Sequence, residues 1–149
     1  MTLPYENATS GEKAVTEIRK ILLAFGATKF GVMDDIAAGL VIIQFEYKDR
    51  IVEVRASIKG YASRWLKEHP HNSRTRCNRI DHERKALAQA AISVYSVLRD
   101  WIKGQITAIE TQMLSFEGAF LGQILLPTGQ TVLDRITSGD QPLLCVADK

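Results

Sequence analysis

The chain has 149 residues, 46% of them hydrophobic and 24% charged, which fits one folded domain and excludes intrinsic disorder. Nineteen Lys and Arg against 17 Asp and Glu leave a net charge of only +2, so any affinity for phosphates must come from local clustering. No apolar run approaches the ~20 residues needed to cross a bilayer, the opening MTLPYENATSGEK lacks the pattern of a signal peptide, and Cys77 and Cys145 are too few for a disulfide framework. These features predict a protein with no membrane association, in the reducing cytoplasm of a host cell.

Residues 1–10 are polar and aperiodic with Pro4, and read as a flexible arm ahead of a single domain over 11–136. Thr9 and Glu12 have the spacing of a capping box. Val15, Ile18, Leu22 and Phe25 then fall on one face, and Gly26 stands where a left-handed C-terminal residue belongs, which predicts a helix over 11–25. Three extended pieces follow. The first runs over 28–33 and ends at an Asp34-Asp35 turn. The second is the β-branched and aromatic run from Leu40 to Tyr47, and the third returns over 51–58 after the reversal Lys48-Asp49-Arg50. Val52, Val54, Ala56 and Ile58 alternate with Glu53, Arg55 and Ser57, the pattern of an antiparallel sheet with one face covered and one wet.

Residues 59–80 read as a basic loop, in which 61–68 has the pattern of a short helix ended by Pro70. Arg64, Lys67, Arg74, Arg76 and Arg79 stand there against a lone Glu68, interleaved with Tyr61, Trp65, His69 and His71; the part beyond Pro70 is rich in Asn, Ser and Thr and reads as mobile. A long helix over 81–113 is marked by Leu87, Ala91, Val94, Leu98, Ile102, Ile106, Ile109 and Met113, with Asp81 as its expected N-cap. At 1.5 Å per residue it would span roughly 50 Å, more than one small sheet can cover, which gives a physical motive for homo-oligomerisation. Ser115 caps a second segment carrying Phe116, Phe120, Leu121, Ile124 and Leu125. Pro127-Thr128-Gly129 makes a turn, 131–136 a short helix, and 137–149 a tail ending in Leu143-Leu144-Cys145-Val146. The expected fold is α+β: an N-terminal helix, a three-stranded antiparallel sheet, one long helix and a short C-terminal helical segment packed on one sheet face.

Cations mixed with flat side chains are what single-stranded nucleic acid requires, since phosphates need the charges and bases need surfaces to stack on. Arg64, Lys67, Arg74, Arg76 and Arg79 are candidate phosphate contacts, Tyr61 and Trp65 candidate stacking platforms, and Arg55 an extension across the wet sheet face. The competing reading is a solvated loop in which Tyr61 and Trp65 close the core. His69, His71, Cys77 and His82 supply zinc-type donors, but their spacing matches no zinc module and the surrounding cations oppose another cation, so neither metal nor cofactor is expected. Asp34 and Asp35 with Glu46 or Glu53 read as an acidic turn and strand rather than a divalent site. Cys77 near His82 lacks an orienting group and an oxyanion site, and no Walker, G-x-S-x-G or dinucleotide glycine pattern occurs, which argues against an enzyme.

The order α-β-β-β-α, with Arg84-Lys85-Ala86-Leu87-Ala88-Gln89-Ala90-Ala91 opening the last helix, resembles the double-stranded-RNA-binding domain. It departs from that domain in lacking a Gly-Pro turn between the first two strands and in a last helix about twice as long. A small sheet backed by a long helix with a basic segment also resembles the core of single-strand annealing proteins. In texture the chain is similar to a family of small phage and prophage proteins of no established activity. The shared features are Phe25-Gly26-Ala27-Thr28-Lys29-Phe30, Ile43-Gln44-Phe45-Glu46, the run from Ala108-Ile109-Glu110 to Phe116-Glu117-Gly118-Ala119-Phe120-Leu121, and Leu126-Pro127-Thr128-Gly129. That likeness covers most of residues 11–136 and implies a mobile-element origin without assigning any site. The functional expectation is a phage-type accessory protein binding single-stranded DNA for annealing or recombination. The alternative is an interaction module that inhibits or redirects a host or phage protein through its long helix.

Overall fold

The computed structural model describes residues 3–139. Helix α1 (Gly11–Phe25) leads into a sheet of β1 (Lys29–Asp35), β2 (Leu40–Tyr47) and β3 (Arg50–Ser57), followed by α2 (Ile58–Glu68), α3 (Arg79–Glu110), α4 (Phe116–Phe120), a 3-10 turn (Leu121–Gln123) and α5 (Val132–Thr137). The α+β architecture expected from the sequence is the one observed. No helix of the described residues is long and apolar enough to cross a membrane. The tail residues 140–149, with Leu143 to Val146, lie outside the described residues.

Helix α1 has the expected bounds, but its cap is Ser10, whose hydroxyl accepts from the Lys13 amide at 3.2 Å, one residue beyond the expected Thr9. The helix ends at Gly26, which adopts φ +116 and donates its N–H to the carbonyls of Leu22 and Leu23. That conformation costs an L side chain steric strain and costs glycine none. The sheet is a meander in the order β1-β2-β3, both pairs antiparallel. Strand β1 continues through Asp34 and Asp35 rather than ending at Met33, because both still pair, with Val41 and Leu40. The hairpin turn Lys48-Asp49 takes φ +46 and +63, the left-handed pair whose twist matches a two-residue hairpin.

Register fixes the faces. Phe30, Phe45 and Val52 lie in one row and Val32, Ile43 and Val54 in the next, all toward the helices. Against them pack Ile18 and Leu22 of α1, Val94, Leu98, Ile102 and Ile106 of α3, and Ala119, Phe120 and Ile124 from the C-terminal segment. Phe120 is fully buried and meets the rings of Phe45 and Trp101 edge-on, at 5.5 and 5.8 Å between centroids. Burying one such side chain is worth about 1.5–3 kcal/mol. Ile124 bridges to Val52 and the Leu125 amide donates to the Ile51 carbonyl, so the chain after α4 partly covers the outer edge of β3.

A second, smaller core joins α2 to the start of α3 through Ala62, Trp65, Ala86 and Ala90. Here the expected stripe is wrong by one residue: Leu87 is 45% exposed while Ala86 and Ala90 are buried, because α2 lies along the alanine ridge. At the other end Met113 lies beyond α3 and is 75% exposed. The cap of α3 is Asn78, which accepts from the Asp81 amide at 2.8 Å, so the helix starts two residues earlier than expected.

Residues 3–10, expected as a flexible arm, are strapped across α2 and α3. The Tyr5 hydroxyl donates to Asp100 at 2.7 Å, the Ser93 hydroxyl to the Tyr5 carbonyl at 2.8 Å, Gln89 to the Ala8 carbonyl at 3.1 Å, and the Tyr61 hydroxyl to the Pro4 carbonyl at 2.6 Å.

Candidate nucleic-acid interface

Residues expected as a basic loop over 59–80 divide into α2, a connection over 69–78, and the first turn of α3. Helix α2 starts where the Ser57 hydroxyl accepts from Gly60 at 2.9 Å and ends where the His69 amide donates to the Trp65 carbonyl, just before Pro70. The connection, expected to be mobile, is tied internally. The Arg74 amide donates to the Asn72 side-chain oxygen at 2.9 Å, the Asn72 amide to the Thr75 hydroxyl at 3.0 Å, and His71 Nε2 to the Cys77 carbonyl at 2.8 Å. Asn and Thr here supply the turn's own hydrogen bonds, a signal readable from their side chains.

This end of the molecule concentrates the positive charge. Between residues 59 and 85 eight Lys and Arg stand against three carboxylates, whereas the whole chain is only +2, so the remainder is net acidic. Lys67, Arg74, Arg76 and Arg79, together with Lys85, form no ion pair among the described residues, and all five are exposed. The start of α3 adds the positive end of its backbone dipole to the same pole. A cleft of about 690 Å3 opens beneath the connection, lined in part by Asn72, Arg76, Cys77, His82 and Lys85.

The other expected site residues are placed differently. Arg64 pairs with Glu68 along α2 at 2.8 Å. Arg55 lies on the outer sheet face between Glu53, at 2.7 Å, and Asp134 of α5, at 2.9 Å. The hydrogen bond to Glu53, and after it the charge of that carboxylate and of Asp134, raise the guanidinium's already high pKa. Arg55 is therefore a cross-link between sheet and α5, apart from the basic pole. Trp65 is only 7% exposed, stacked on His69 at 4.3 Å and tilted against His82, which leaves no free ring face for a base. Tyr61 is half-buried with its hydroxyl committed to Pro4. Trp65 belongs to the small core and Tyr61 packs against it.

The zinc-type donors do not converge. His69 Nδ1 faces the Trp65 carbonyl at 3.0 Å, His82 Nε2 the His69 carbonyl at 2.6 Å, and His71 Nε2 the Cys77 carbonyl. Among the described residues no group of three or more His, Cys, Asp or Glu is placed to hold a metal ion. Asp34 instead accepts from the Tyr95 hydroxyl, and burial, reinforced by that bond, pushes the Tyr95 pKa up. Glu46 pairs with Lys29, and Glu53 with Gln44 and Arg55. Lys85 was not among the expected phosphate contacts. Its place one turn after Asp81, on the side facing the connection, depends on α3 beginning at Arg79.

Comparison with protein-family models, with curated proteins and with solved structures finds no match for this chain.

Proposed function

We propose that the protein is a nucleic-acid-binding accessory protein that grips phosphates with its basic pole. The observation carrying this reading is that Lys67, Arg74, Arg76, Arg79 and Lys85 are exposed and free of ion pairs among the described residues, on a chain otherwise net acidic. Cations already neutralised by carboxylates gain little from a phosphate; free ones release condensed counterions when they bind. Single-stranded DNA, bound for annealing or recombination in a phage setting, is the finer form of the proposal. It rests on the resemblance to the core of single-strand annealing proteins, with the phage setting from the likeness to small phage proteins, and on backbone contacts, since Trp65 and Tyr61 are occupied in the core.

The test is fluorescence anisotropy with labelled single- and double-stranded oligonucleotides across a salt series. Native protein should bind at low salt with affinity falling linearly in log[salt]. Changing Arg74, Arg76 and Arg79 together to Ala should weaken binding and flatten the single-strand slope by about 2, from roughly 0.7 per lost phosphate contact. An unchanged slope would refute the assignment. A second reading, docking of a host or phage protein on α3, is favoured by exposed Ile80 and Leu87, two turns apart on one side of that helix. Binding through them would respond little to salt.

A further inference from the structure

Among the described residues strand β1 has one partner. Its residues pair with β2 on one side, and among the described residues no backbone hydrogen bond leaves its other side; the remaining backbone bond, from Gly39 to the Asp35 carbonyl, closes the turn after it. Natural edge strands are usually kept from pairing by brevity, a bulge, a proline or central charges. This one is seven residues long, Lys-Phe-Gly-Val-Met-Asp-Asp, pairs residue for residue without a bulge, and carries its charges only at its ends. At its C-terminal end the outer face is apolar: Met33 is 64% exposed, Ile36 in the following turn 90%, and Ile42 half-buried between Met33 and Arg55, while Gln44 and Glu46 lie beside Gly31 and Lys29.

We propose that this edge pairs antiparallel with β1 of a second copy, about a two-fold axis at Val32, giving a continuous six-stranded sheet. The strand is complementary to itself in that register. On the outer face Lys29 stands opposite Asp35 of the second copy, twice by symmetry. Met33 stands opposite Gly31, where an added Cβ would meet nothing within 4 Å, so the methionine has an open notch to fill. On the inner face Asp34 stands opposite Phe30, whose ring lies 5.5 Å under the Arg19 guanidinium. Arg19 forms no ion pair among the described residues and would meet that incoming carboxylate. A two-fold contact needs a patch that fits itself, and the order of charges along β1 supplies it. Backbone pairing contributes affinity and the alternate side chains the register. This inference is independent of the basic pole.

The experiment is sedimentation equilibrium on the native chain and on Gly31→Lys, with a cross-linking arm. Gly31→Lys adds no clash to the isolated fold but fills the notch with a charge. The native protein should have twice the chain mass and the variant the chain mass, with equal circular dichroism. Gly31→Cys and Met33→Cys, mixed and oxidised, should give a disulfide between residues 31 and 33 of different copies, absent when either variant is oxidised alone. A native monomer at the highest soluble concentration overturns the proposal. So does a folded Gly31→Lys that remains a dimer, as a contact through α3 would produce, and so does a disulfide between two copies of residue 31.

Discussion

The two halves of α3 are one continuous helix with two different cores. From Val94 to Ile106 it presents branched and long aliphatic side chains to the sheet, α1 and Phe120. From Arg79 to Ser93 the buried positions are His82, Ala86, Ala90 and Ser93, which face α2 and the N-terminal strap. Alanine gains little from burial but lets two helices approach closely, and Ser93 and His82 are buried by hydrogen bonds to the Tyr5 and His69 carbonyls. One half is held by apolar area and the other by fit and polar contacts. The basic pole lies at the second, with Arg79 and Lys85 on it and Lys67, Arg74 and Arg76 on α2 and the connection before it.

That contrast can be broken most severely in the large core. Ile102→Ala should cost about 2–5 kcal/mol, read as a lower urea midpoint for the whole chain. Ala90→Leu should cost about 1–3 kcal/mol by overpacking. Its signature is local: hydrogen exchange should accelerate in α2 and the strap while the sheet amides stay protected. Asn78→Ala, which removes the cap of α3, should cost about 1 kcal/mol and loosen the basic pole.

Acid should act on the strap. Asp100 is held below the ordinary carboxylate range by its hydrogen bond to Arg99 and then by the Tyr5 hydroxyl. Its folded form therefore binds a proton less readily than the unfolded chain. The stabilisation is complete above the ordinary carboxylate range and is lost as the pH falls through the lowered value. Asp100→Asn should flatten this part of the melting temperature against pH. Leu87→Ser, at the position the sequence marks as core and the structure leaves exposed, should change stability by no more than about 0.5 kcal/mol.

The parts legible in the sequence are those written in hydrophobic period. Helix α1 has its expected bounds, and the β2–β3 hairpin keeps its expected faces, because Val52 and Val54 alternate with Glu53 and Arg55 and Phe45 stands between Gln44 and Glu46. The first half of α3 departs from its expected stripe because Leu87 carries more apolar weight in the sequence than Ala86, and nothing local says on which side α2 will lie. The strap was invisible for a different reason: its contacts are single hydrogen bonds to residues far along the chain, which leave no periodic trace. At the candidate site the density of cations was plain, but not which ones carboxylates would claim. Asp134, which holds Arg55, lies 79 residues away.

The same strap has a consequence for when the chain can finish folding. Tyr5 finds Ser93 and Asp100 across 88 and 95 residues, and Ala8 finds Gln89 across 81. On a ribosome adding ~5–20 residues per second, the strap would wait roughly 5–20 s for its partners. Through that interval α2 lacks the alanine seam of α3 on which it packs, and a segment made before the sheet settles only after it.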